Sequence, residues 1–187
     1  FVSSNNRVYV QIDDNFSYDH WINGLQKGRT FITNGPALFF LVNGQLPGSR
    51  ITDCAKVEIN IFWKSHYPLN CIELIMNGQV IRQKKYLEGS FSGEINCDVL
   101  PETNGWIAAR CSGVARDSFN QAIYAHTSPV WFEMGRPPTE RKDDAKFFAK
   151  SIEQSLQWIN RSGRYTNTDQ RQAVAELFRK GQKVYEG

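Results

Sequence analysis

The spacing of apolar side chains along this chain changes period twice, and each change marks a boundary between kinds of structure. Near the start, Arg7 to Ile12 reads as a strand. Phe16 followed by Ser17 then announces a helix whose Trp21 and Leu25 lie four residues apart on one face. Ser17 suits the N-cap because its hydroxyl accepts from an amide of the first turn. Lys27-Gly28 ends the helix, with Gly28 suited to the left-handed conformation that follows a last turn.

From residue 29 to residue 132 the period drops to about two, and turn signals recur at the short intervals of a sandwich. Ala37 to Val42 is apolar throughout and ends at Asn43-Gly44. Lys56 to Lys64 alternates, with Val57, Ile59, Ile61 and Trp63 on one face against Glu58, Asn60 and Lys64. Asn70 to Met76 runs into Asn77-Gly78, and Gln79 to Gln83 returns. That pattern predicts a hairpin, because a type I′ turn needs positive φ at both central residues. Phe91 to Cys97, Trp106 to Cys111 and Ile123 to Phe132 complete a set of about seven strands.

After Pro137-Pro138 the strand pattern stops. Thr139 can cap a helix whose Phe148, Ile152, Leu156 and Ile159 advance by helical steps, and Gly163 closes it. Thr168-Asp169 opens a second helix with Val174, Leu177, Phe178, Val184 and Tyr185 on one side. The expected architecture is therefore mainly β: an immunoglobulin-like sandwich of about seven strands, with an N-terminal helix and a C-terminal helical hairpin. Residues 1–36 form a connecting segment of strand, helix and loop, 37–135 the sandwich, and 136–187 the hairpin, packed on the sandwich or on a domain upstream. The first residue is Phe1, and the early strand has little before it to pair with, so an upstream domain is expected.

Composition leaves this picture in place: 41% of residues are hydrophobic, 22% are charged, and no apolar run is long enough for a membrane span. The net charge of +3 is spread along the chain, so no basic stripe favours nucleic acid as a partner. The densest basic cluster, Arg82-Gln83-Lys84-Lys85, reads as a solvated strand edge.

Four cysteines lack both zinc-site spacing and the density of a disulfide scaffold. In an immunoglobulin-like order the second strand pairs with the fifth and the third with the sixth. That sets Cys54 beside Cys97 and Cys71 beside Cys111, as two candidate disulfides or as four small buried hydrophobes.

Catalytic patterns are missing. His20, His66 and His126 are isolated, so no metal or cofactor site is expected within the chain. Asp13-Asp14 and Asp143-Asp144 read as solvated turn and helix-start residues, and no nucleophile elbow, Walker loop or dinucleotide motif occurs. Of five tryptophans, Trp63, Trp106 and Trp131 fall on predicted strands. They suit core packing better than a carbohydrate platform. Two polar segments remain. Gly28 to Pro36 is either a linker turn or a loop presenting Arg29, Thr33 and Asn34, closed by Gly35-Pro36, to an anion or a neighbouring domain. His126-Thr127-Ser128-Pro129 interrupts the last strand. Arg110 reads as the cross-strand partner of Glu73.

These segments carry a resemblance. Asn6-Arg7-Val8-Tyr9-Val10, Phe16-Ser17-Tyr18 and Gly28-Arg29-Thr30-Phe31-Ile32-Thr33-Asn34-Gly35-Pro36 resemble the region that follows the catalytic domain of CehA/McbA-like PHP metallohydrolases. The likeness extends through Val42-Asn43-Gly44, Pro47-Gly48, Pro68-Leu69, Asn77-Gly78, Trp106-Ile107-Ala108-Ala109-Arg110, Ala125-His126-Thr127-Ser128-Pro129-Val130 and Gly163-Arg164-Tyr165. It implies a parent enzyme that binds divalent metals upstream of Phe1 and hydrolyses phosphoester-type bonds. It also implies a periplasmic or extracellular setting, which favours disulfides. The chain itself is then a non-catalytic accessory domain whose partner is its own catalytic domain, with the Arg29 to Pro36 loop at the junction and Arg110, His126, Thr127 and Ser128 as a second patch. The alternative is a sandwich module that binds carbohydrate or another cell-surface ligand through exposed aromatic rings.

Overall fold

A computed structural model describes residues 6–12, 15–52, 55–135 and 142–186. Asp13, Asp14, Cys54, Pro137, Pro138 and Thr139 lie outside them. The fold is mainly β, an immunoglobulin-like sandwich with a helix near its start and a helical hairpin at its end. The chain divides into two compact units, Phe1–Pro138 and Thr139–Gly187.

In the first unit, β1 (Arg7–Val10) leads to α1 (Tyr18–Gln26), β2 (Thr30–Thr33), β3 (Ala37–Val42) and β4 (Arg50–Thr52). Two long strands follow, β5 (Val57–Met76) and β6 (Gln79–Val99), and then β7 (Gly105–Arg116), β8 (Ala122–Thr127) and β9 (Val130–Glu133). Ser17 caps α1, its hydroxyl accepting from the His20 amide at 3.1 Å, and Gly28 follows the helix at φ 71°. Asn43-Gly44 and Asn77-Gly78 both take the paired positive φ of a type I′ turn.

The strand path runs β1-β2-β8-β7-β5-β3, with β6 on β5 and with β9 on β7 and β4. Sequence pattern separated Lys56 to Lys64 from Asn70 to Met76; the structure joins them. The first half of β5 pairs with β3, the second half with β7, and β6 accompanies both. The ladder shifts register between Lys64 and Leu69, around Pro68, which has no amide to donate. Opposite the bend, Gly89 sits at φ 79°, where a Cβ would come within 2.4 Å of Pro68 Cβ. A strand that changes partners half-way carries one sheet layer into the next, so its two halves enclose one core. Leu38, Phe40, Ile59, Ile61, Ile72, Leu74, Ile107 and Ile123 fill it, all at most 2% exposed.

Three sequence expectations change here. Residues 29–36 contain a sheet strand, β2, held between β1 and β8, so β1 and β2 are themselves strands of the sheet. β4 escaped notice because its three residues show no period; its one apolar residue, Ile51, is buried and pairs in parallel with Phe132. The predicted strand from Ile123 to Phe132 divides at Ser128-Pro129 into β8 and β9.

The second unit holds α2 (Lys142–Arg161) and α3 (Thr168–Glu186). Asn167 caps α3, its side-chain Oδ1 accepting from the Gln170 amide at 2.8 Å. Ile159 and Ala175 are buried, and Phe148 stacks on Tyr185 at 5.3 Å. Leu177 and Val184 of the one-sided apolar stripe are exposed, 69% and 77%. No helix among the described residues is long and apolar enough to cross a membrane.

Candidate functional site

Strand β2 buries its two ends, Thr30 and Thr33, and leaves Phe31 and Ile32 between them partly exposed. Thr33 and Asn34, which looked presentable to a ligand, turn inward and are 2% and 3% exposed. The Asn34 side-chain amide donates to Asp117 Oδ2 at 3.0 Å and to the Ala122 carbonyl at 2.8 Å, and its oxygen accepts from the Tyr124 amide at 2.8 Å. Asp117 Oδ1 in turn accepts from the amides of Phe119 and Gln121, both at 2.9 Å. The Thr33 hydroxyl donates to the Tyr124 carbonyl and accepts from the Gly35 amide. These groups clamp the β7–β8 turn to the end of β2. An anion or a neighbouring domain does not reach Thr33 and Asn34, and the expectation that they face one is corrected.

The remaining residues of that segment border a cleft of about 530 Å³. Arg29, Thr30, Phe31, Gly35 and Pro36 line one side; Tyr9 to Ile12 beside β1 and Ala37 to Phe40 of β3 complete it, with Pro47 and Thr127. Its surroundings are aromatic. Tyr9 stacks on Phe31 with centroids 5.1 Å apart, and Phe31 meets the edge of Phe39 at 5.8 Å. Phe39 stands directly across the ladder from Phe62. Tyr9 and Phe39 are almost half exposed and Phe62 is 38% exposed, so an aromatic band runs over four strands, with Tyr9, Phe31 and Phe39 lining the cleft. Sequence reasoning passed over these four rings. Phe62 carried the one legible signal, since it interrupts the polar series of Glu58, Asn60 and Lys64.

The second patch divides as well. Arg110 pairs with Glu73 across β5 and β7, Nε to Oε2 at 2.5 Å, while Gln83 donates to the other carboxylate oxygen at 2.8 Å. The Arg110 hydrogen bond holds the Glu73 carboxyl below its ordinary range, outweighing the opposite effect of burial. The same bond raises the Arg110 guanidinium. His126, exposed, stands next in the row beyond Arg110. Thr127 faces the other way, where its hydroxyl accepts from the Ala109 amide, and Ser128 shares a 2.7 Å hydroxyl bond with Thr30. The four are thus not one site.

The candidate Cys71–Cys111 disulfide does not form, and the Cys54–Cys97 candidate falls on Cys54, outside the described residues. The expected strand pairings are present, yet the register places Cys71 opposite Ser112 and Cys111 opposite Ile72. A one-residue offset points the two thiols to opposite faces. Cys97 is free and lies opposite Ile59. Burial raises all three described thiols, Cys111 to about 12, so none is activated as a nucleophile. Trp63 is in the core and donates to Ser90 at 3.2 Å, whereas Trp131 is 40% exposed across the ladder from Trp106, against the core packing expected of it. Among the described residues no group of three or more His, Cys, Asp or Glu could hold a metal ion.

No protein-family model and no curated protein matches the chain. Among solved structures, a lytic polysaccharide monooxygenase from Jonesia denitrificans aligns at 20% identity over 47% of this chain and 59% of its own, with a TM-score of 0.28. A TM-score that low carries no argument about function.

Proposed function

We propose that this chain is a non-catalytic accessory domain of a PHP-type metal-dependent hydrolase, and that the aromatic band of Tyr9, Phe31, Phe39 and Phe62 docks the catalytic domain. The observation behind this reading is the band itself, set around a cleft bordered by Arg29, Gly35 and Pro36. Contiguous exposed rings mark interaction surfaces, because each ring returns free energy when it is withdrawn from water. The motif resemblance supplies the partner. The divalent metals and the hydrolytic chemistry belong to that partner.

The test is to express the whole reading frame that encodes the chain and to assay metal-dependent hydrolysis of an activated phosphodiester. The intact product should be active, the 187-residue chain alone inert, and Phe39→Asp with Phe62→Asp should lower activity roughly tenfold. A reading frame without PHP-type metal ligands, or activity indifferent to the double substitution, would sink the proposal. Carbohydrate binding is the second reading, and exposed Trp131 opposite Trp106 favours it. It requires the chain to bind a glycan and lose it on Trp131→Ala.

A further inference from the structure

Strand β6 pairs with β5 alone, so the other edge of its 21 residues has no neighbouring strand among the described residues. Its main-chain direction follows from β5, which lies between β6 and β7. Just past the end of β5, the Asn77 amide donates to the Trp106 carbonyl of β7 at 3.0 Å, and main-chain groups alternate sides along an antiparallel strand. Cys71 and Glu73 therefore turn their amides and carbonyls to β7, while Ile72 and Leu74 turn theirs to β6, where they meet Lys84 and Arg82. Gln83 and Lys85 are left with their main-chain groups pointing outward, and both residues are exposed. The side chains along this edge carry one sign of charge. Between Gln79 and Leu87 stand Arg82, Lys84 and Lys85, with no Asp or Glu. Across the ladder from them β5 offers one carboxylate, Glu73, which Arg110 and Gln83 already hold. Lys84 lies over the Tyr86 ring at 5.3 Å, which positions its ammonium without neutralising it.

Charged residues blunt a sheet edge, but three of one sign blunt it selectively. A like-charged strand, a second copy of β6 included, is repelled, and an acidic strand is drawn in. A groove of about 470 Å³ lies between the two halves of β6, with Ile81 to Lys84 on one side and Ile95 to Cys97 on the other, and gives room for the side chains of a further strand. We infer that Ile81 to Lys85 takes up an extended acidic segment of a protein partner as an added strand. Its main chain bonds to the outward groups of Gln83 and Lys85, and its carboxylates lie beside Arg82, Lys84 and Lys85. None of these residues belongs to the aromatic band, so strand addition at β6 stands whether or not the band docks a catalytic domain.

The experiment selects peptides from a displayed random library on the chain and follows amide hydrogen exchange at Gln83 and Lys85. Selected peptides should be rich in Asp and Glu and slow exchange at both amides roughly tenfold, and copies N-methylated at alternate residues should lose that effect. Arg82→Gln with Lys85→Gln should weaken binding roughly tenfold. Both residues are exposed, so urea unfolding of this variant should match that of the unsubstituted chain. Failure to select any peptide, selection without acidic bias, or binding that leaves Gln83 and Lys85 exchanging as before overturns strand addition. So does slowing that needs no peptide and grows with protein concentration, because the occupant is then a second copy of the chain. Phe39→Asp with Phe62→Asp, the variant that tests the docking band, should bind the selected peptides unchanged. Loss of binding there would place the peptides on the band and overturn strand addition at β6.

Discussion

Two neighbouring regions at the start of the sheet meet water in opposite ways. Around Asn34 and Asp117, polar side chains are buried and bonded to one another and to the β7–β8 turn. Around Tyr9, Phe39 and Phe62, aromatic rings lie substantially in solvent. Residue type alone suggests the reverse roles, with amide, carboxylate and hydroxyl as the binding groups and rings as the core. The contrast teaches that a polar group saturated by its own fold has little left for a ligand. An exposed ring still holds burial free energy, on the order of 1.5–3 kcal/mol if fully withdrawn from water.

That contrast can be broken or sharpened by substitution. The largest effect should come from Asn34→Leu, which takes away the amide donor to Asp117 Oδ2 and to the Ala122 carbonyl and the acceptor of the Tyr124 amide, all in the interior. We expect a loss of about 3 kcal/mol in urea unfolding. A nearly neutral result would mean that the cluster is not structural.

Next is Glu73→Gln, expected to cost about 1 kcal/mol because Arg110, its partner, is half exposed. The sign of the pH effect follows from the lowered Glu73 pKa. The ion pair's contribution is present above the unfolded carboxylate value of about 4.5 and is lost as pH falls through the lower folded value. Stability of the unsubstituted chain should therefore fall more steeply below pH about 4.5 than that of the variant. Parallel acid profiles would remove Glu73 from the account.

The smallest effect on stability belongs to the band. Phe39→Ser and Phe62→Ser should each change unfolding free energy by less than about 0.5–1 kcal/mol, since both rings are already wet. A cost as large as that of Asn34→Leu would place the rings in the core and erase the distinction between the regions.

Much of the fold was legible because its signals are local. Both Asn-Gly turns, the Ser17 cap and Gly28 are decided by backbone rules within a few residues. The Glu73–Arg110 pair was legible too, since the strand order carried it. What escaped depends on distant partners. Gly28 to Pro36 reads as loop because β2 has four residues and gains its order from β1 and β8 on either side. The continuity of β5 was hidden by Pro68, which looks like a breaker but sits at a bend. The Cys71–Cys111 pairing failed by one residue of register, which strand assignment does not resolve and side-chain direction depends on. The aromatic band is spread over β1, β2, β3 and β5, so no stretch of sequence displays it.

Hydroxyl-radical footprinting of Tyr9, Phe31, Phe39 and Phe62, in the full-length product and in the chain alone, tests the docking face most directly. The account predicts that these rings are oxidised in the chain alone and protected when the catalytic domain is present, while exposed Trp158 reacts equally in both. Equal oxidation of the four rings in the two proteins would contradict it.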